Sequence, residues 1–181
     1  MTQSRDCQMT EKPHSTKKLG MMFTLAGWIL GFLLLALVFS EILDQRYNPN
    51  QSVKTAQTPA YQEIILNRNR HGHYIFDGEI NGKAVTFIVD TGATTTAIPQ
   101  NLQEYLELEA GSAFSVLTAN GKATAYATRI SELKMGDIIL NNTRASLNPG
   151  LGNSEILLGM NILKHMELIQ RDNVLIIRRY L

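Results

Sequence analysis

Leu19 to Phe39 is a run of leucine, phenylalanine, methionine and small residues with no charge inside it. At a rise of about 1.5 Å per residue, a helix of this length reaches roughly 30 Å, the depth of a bilayer hydrocarbon core. No polar face breaks the run, so it does not read as the core helix of a globular domain. Lys17 and Lys18 precede it, and Glu41 and Asp44 follow. That flanking bias favours an N-terminus kept in the cytoplasm, with the rest of the chain across the membrane. A cleaved signal peptide is the competing reading. Its apolar region runs about 7–15 residues, and Val38-Phe39-Ser40 makes a poor cleavage site. The pattern therefore predicts a cytoplasmic tail over 1–18 and a transmembrane helix over 19–40.

Over 41–60 large apolar residues thin out. Asn48-Pro49-Asn50-Gln51-Ser52 and Ala56-Gln57-Thr58-Pro59 dominate the stretch, which reads as a flexible linker unable to bury enough surface to fold alone. From Tyr61 the pattern turns to short strands: Glu63–Leu66, His73–Ile80, Ala84–Val89, Phe114–Thr118, Ala123–Ile130, Asp137–Asn141 and Val174–Arg178. Asn81-Gly82 and Asn120-Gly121 each sit between two such runs, the strongest short hairpin signal, because a type I′ turn needs positive φ at both central residues. Short helices are predicted after Pro99, through Leu102, Tyr105 and Leu106, and from Met160 to Met166. Arg178-Arg179 reads as a solvated edge. The sum is an all-β domain over 61–181 with one or two short helices.

Composition narrows the chemistry. The 181 residues carry 17 basic and 16 acidic side chains, a net charge of +1, which gives no reason to expect nucleic acid as a partner. The single cysteine, Cys7, precedes the apolar run, so the folded part has no disulfide framework, no cysteine zinc site and no thiol nucleophile. His71-Gly72-His73 offers two histidines but no third ligand and reads as a solvent-facing turn; no metal and no cofactor are expected. No Gly-x-Ser-x-Gly is present, so a serine hydrolase has no support. Asn141-Asn142-Thr143 is a glycosylation sequon that reads as idle in a bacterial-looking chain.

One segment carries chemistry. Phe87-Ile88-Val89 leads straight into Asp90-Thr91-Gly92-Ala93, and a carboxylate is seldom set directly against a buried run. This resembles the active-site loop of aspartic proteases, Asp-Thr-Gly-Ala or Asp-Thr-Gly-Ser after apolar residues. A second element strengthens the resemblance. Leu157-Leu158-Gly159, within Ile156 to Leu163, looks like the apolar-Gly run that braces that loop in retroviral proteases. Between the two lies a hairpin centred on Ala119-Asn120-Gly121-Lys122, where the family has its flap. The resemblance covers about Tyr61 to Leu181, and the anchor makes the chain similar to bacterial membrane-bound retropepsin-like proteins.

The resemblance implies a closed retropepsin-like β-barrel, one lobe of the acid-protease fold, and a catalytic Asp90. Peptide hydrolysis there needs two carboxylates sharing a proton, since like charges about 3 Å apart cannot both ionise. The chain has one Asp-Thr-Gly; Asp77, Asp137 and Asp172 lack that context. The second carboxylate is then expected from a second copy across a two-fold axis. By resemblance, Thr91 ties the two loops together, Gly92 allows their approach, and Ala93 in place of Ser removes a hydrogen-bond donor. Losing such a donor leaves the pair less acidic, toward a milder optimum pH. The expected protein is a homodimeric aspartic endopeptidase of a bacterial inner membrane, acting on polypeptides in the periplasm or outside the cell and able to cut its own linker. The alternative is the same fold holding a peptide without turnover.

Overall fold

The structure, a computed structural model, describes residues 16–118, 121–152 and 154–181. The expected tail over 1–18 falls almost wholly outside the described residues. The chain divides into two units, Met1–Ile42 and Leu43–Leu181. Helix α1, Thr16–Tyr47, is long and apolar enough over Gly20–Tyr47 to cross a membrane, and none of its most apolar stretch is buried. Such a helix serves either as a membrane span or as a signal sequence. It outruns the predicted end at residue 40 because Ser40 to Tyr47 contains no breaker. It stops where Pro49 disfavours helical backbone at Asn48.

The next segment corrects the expectation of a flexible linker over 41–60. Strand β1 (Lys54–Gln57) pairs antiparallel with β2 (Tyr61–Asn67), Lys54 opposite Ile65 and Gln57 opposite Gln62. Asn48 and Asn50 are buried. Asn50 donates through Nδ2 to the carbonyls of Asn67 (2.9 Å) and Ile75 (2.6 Å) and accepts the Asn67 N–H at 2.7 Å. Asn48 donates to Asp77 at 2.8 Å. Composition predicted disorder because the stretch buries little apolar surface. Order comes instead from amide side chains that satisfy backbone groups and from an edge strand that needs only main-chain bonds.

The remaining elements are β3 (Ile75–Ile80), β4 (Lys83–Val89), β5 (Ala97–Pro99), a 3-10 turn at Gln100–Leu102, β6 (Ala113–Thr118), β7 (Gly121–Met135), β8 (Ile138–Asn148), β9 (Ile156–Leu158), α2 (Met160–Leu163), β10 (Glu167–Arg171) and β11 (Val174–Tyr180). A four-stranded sheet has the order β1-β2-β11-β10, and a seven-stranded sheet the order β3-β4-β9-β5-β8-β7-β6. Two residue pairs, Glu79 with Lys134 and Ile80 with Leu133, join β3 back to β7. The expected barrel is thus a sheet curled on itself, closed by a short seam and not by a full ladder. Asn81 and Gly82 have φ of 52° and 75°, the left-handed pair predicted for the β3–β4 turn.

The core lies inside the curl, where Phe76 and Phe87 stack at 5.3 Å among Ile64, Ile98, Leu133, Leu147 and Leu158. Arg178 is not the solvated residue predicted. From β11 it pairs with Glu63 on β2 (2.8 Å) and Glu167 on β10 (3.1 Å) and lies over the Tyr61 ring. These bonds hold its guanidinium above its ordinary pKa, the bond to Glu63 contributing most.

Candidate active site

Asp90 follows the last residue of β4. The N–H of Val89 is held by the Tyr74 carbonyl (3.0 Å) and that of Asp90 by the Leu158 carbonyl (3.1 Å). Beyond Asp90 the chain turns sharply. Gly92 N–H donates to Asp90 Oδ1 at 2.8 Å, and Ala93 N–H to the Asp90 carbonyl at 3.3 Å. The carboxylate therefore keeps the turn that presents it, an Asx-type arrangement. Thr91 and Gly92 are exposed, while Asp90 and Ala93 are half-buried.

The loop is braced from below by β9. This strand runs parallel to β4, with Val89 opposite Leu158, and antiparallel to β5, with Ala97 opposite Leu157. The structure thus brings Asp90, Thr91, Gly92 and Ala93 together with Leu157, Leu158 and Gly159. Gly159 is buried under the loop. A Cβ there would lie 2.6 Å from the Thr95 carbonyl carbon and 2.8 Å from Thr96 N, closer than any side chain tolerates. The start of α2 then caps the loop's carbonyls: Met160 N–H donates to Ala93 O (2.7 Å) and Asn161 N–H to Thr94 O (3.1 Å).

Two residues of this brace were not predicted as site residues. Thr96 is fully buried. Its N–H and hydroxyl both donate to Asn161 Oδ1, at 2.8 and 3.0 Å, and its Oγ1 accepts the Gly159 N–H at 3.3 Å. Asn161 Nδ2 reaches on to the Arg144 carbonyl at 2.8 Å. Asn161 lies two residues after Gly159, inside the Ile156 to Leu163 run noted for its resemblance to the bracing element. Thr96 is the third of three successive threonines, and nothing local sets it apart.

The hairpin expected as a flap exists as β6 and β7, with Thr118 opposite Gly121 and Leu117 opposite Lys122. Gly121 and Lys122 open β7; Ala119 and Asn120 lie outside the described residues. Asp77 has a structural role, its Oδ1 taking bonds from Asn48 and Thr86. Asp172 has a φ of 54°, directly before Asn173 in the β10–β11 turn. The backbone N–H groups of His71 and His73 both donate to Asn69 Oδ1, so the two histidines sit on a folded turn.

In this chain an apolar strand delivers Asp-Thr-Gly into a turn, cradled by an apolar-Gly strand and a short helix. The sequence model of the gag-polyprotein aspartyl protease family matches residues 76–165. Over that stretch the chain is similar to the retropepsin-like aspartic proteases. Its fold is that of a retropepsin-like aspartic protease from Rickettsia conorii, a solved structure with a TM-score of 0.57 at 23% identity, covering 69% of this chain and 98% of that one. Among curated proteins, the chain is similar to an uncharacterised protein from the cobV 5′ region of a Sinorhizobium species, 28% identical over 125 residues, 67% of this chain and 54% of that protein. An uncharacterised protein of Rickettsia prowazekii (strain Madrid E) is 28% identical over 168 residues, 87% of this chain and 71% of that one. The match thus spans about half of the first relative's length.

Proposed function

We propose that the chain is a membrane-anchored aspartic endopeptidase that works as a homodimer, each copy supplying one Asp90. The observation that carries this reading is the Asp90 loop. Its backbone is fixed on the inner side by Leu158, Met160 and Asn161, while Thr91 and Gly92 remain exposed. A loop so firmly braced, with its Thr-Gly turned outward, is suited to meeting a second loop like itself. In the pair, one ionised Asp90 accepts a proton from the attacking water, and the partner subunit's Asp90, protonated, donates to the oxygen of the scissile carbonyl. Thr91 joins the loops, Gly92 permits their approach, and Ala93 leaves the pair without a hydroxyl donor. The β6–β7 hairpin, with Ala119, Asn120, Gly121 and Lys122, closes over an extended peptide. Helix α1 supports anchoring in a bacterial inner membrane, and Lys17 and Lys18 support an N-terminus in the cytoplasm with the folded domain outside it. Two copies in one membrane meet at raised effective concentration, which favours pairing.

The test is cleavage of an unstructured protein by the full-length chain in detergent. Asp90→Asn is expected to lower turnover by about 10³-fold or more with the unfolding midpoint unchanged. If wild type and Asp90→Asn cut alike, the enzyme reading fails. If neither cuts yet both bind the polypeptide, the fold is a peptide-binding module.

A further inference from the structure

A groove of about 640 Å³ lies between β8, the turn of α2 with the residues that follow it, and β11. Its charged and titratable lining is Arg144, Lys164, His165 and Arg179, with no carboxylate among its residues. This is unusual for a chain of net charge +1. The ion pairs among the described residues lie elsewhere, joining Lys83 to Glu107, Lys134 to Glu79, and Arg178 to Glu63 and Glu167. The side chains of Arg144 and Lys164 have no hydrogen-bond partner among the described residues. Arg179 donates one N–H to the Ile139 carbonyl at 2.7 Å, which fixes its guanidinium and leaves other donors of the fork free. Asn142 of the lining accepts from Arg129, both at its Oδ1 (2.8 Å) and at its carbonyl. The floor is apolar, made by Leu140, Ile162 and Met166.

We infer that this groove binds a phosphate monoester, the phosphate held by Arg144 and Lys164 and the organic part resting on the apolar residues towards Arg179. Arg144 and Lys164 also border the neighbouring groove with Glu107 and Glu109, but Glu107 is already paired with Lys83, so the two cations favour a further counter-charge. A dianion matches them better than a single carboxylate does, and guanidinium forks suit phosphate oxygens. The groove also adjoins the brace of the Asp90 loop. The carbonyl of Arg144 holds Asn161 Nδ2, and Asn161 holds Thr96. An occupant therefore steadies the strand on which that brace hangs.

The test uses the full-length chain in uncharged micelles, titrated with phenyl phosphate at fixed ionic strength while the thermal unfolding midpoint is followed. The midpoint is expected to rise with phenyl phosphate, to rise less with inorganic phosphate and to stay level with sodium chloride. Arg144→Gln with Lys164→Gln is expected to weaken the apparent affinity about tenfold or more. Arg68→Gln with Arg171→Gln, exposed cations away from the groove, should keep it. If the first double variant does not fold, Lys164→Gln alone replaces it, since this side chain is exposed at the end of α2. An unresponsive wild type, or equal loss in both double variants, overturns the proposal. Asp90→Asn should respond like wild type, so failure of the groove and failure of peptide hydrolysis are scored separately. In nanodiscs, a response suppressed by phosphatidic acid but not by a phosphodiester lipid assigns the groove to a lipid phosphate monoester, and one that persists with both assigns it to a soluble ester.

Discussion

Thr96 and Asn161 show how much of the Asp90 loop's support lies outside the loop itself. Thr96 is fully buried, and both its N–H and its hydroxyl end on one amide oxygen of Asn161. Asn161→Ala strands two buried donors, each costing about 1–3 kcal/mol. The variant is expected to lose thermal stability and, with the Asp90 loop loosened, to lose kcat more than it raises KM. Asn161→Asp keeps the acceptor and gives up only the bond to Arg144, so it should recover part of both. An Asn161→Ala protein with wild-type unfolding midpoint would show that the amide carries no weight. The Asp90-Thr91-Gly92 turn stood out in the sequence because the motif is contiguous and chemically odd, a carboxylate at the end of an apolar run. Thr96 was not, because its meaning depends on a partner 65 residues away.

At the level of elements, β3, β4, β6 and β7 could be read from their apolar runs and from the two Asn-Gly pairs. β5 and β9 have three residues each, too few to show a period, and they exist because their neighbours on both sides supply bonds. β1 was misread for the opposite reason. Its sequence is polar, and Asn50 does the work that apolar burial does elsewhere. Asn50→Ala leaves the carbonyls of Asn67 and Ile75 and the N–H of Asn67 without their partner, a loss of about 2–4 kcal/mol. The expected result is a segment from Asn48 to Gln57 that trypsin cuts at Lys54 well before the rest of the domain, whereas the wild type resists. Equal cutting rates would mean that the segment is not held by this side chain. The same fastening bears on self-processing: the stretch expected to be a cuttable linker must detach from β2 before a protease can accept it.

For the whole molecule, the proposal of a shared site makes a quantitative statement. Wild type mixed with an equal amount of Asp90→Asn and allowed to exchange partners should retain about one quarter of the activity of the same total of wild type, because only pairs with two carboxylates turn over. Independent subunits would retain about half, and that outcome would reject the dimeric site. The all-β class was readable from the order of strand and turn signals along the chain, and the curled sheet only as what the resemblance to aspartic proteases implied. The short seam between β3 and β7 was not, since it rests on Glu79 and Ile80 meeting Lys134 and Leu133, and nothing in either segment names the other.

The parallel pairing of β4 with β9 has a consequence in time. Val89 is made about 70 residues before the Leu158 it must lie against. A ribosome that has finished Asp90-Thr91-Gly92 has produced the motif without its support, and no local contact can substitute. The loop's support arrives only after residues 156–161 have been made. A nascent or truncated chain ending before Ile156 therefore carries Asp90-Thr91-Gly92 with nothing beside it to hold the turn in position.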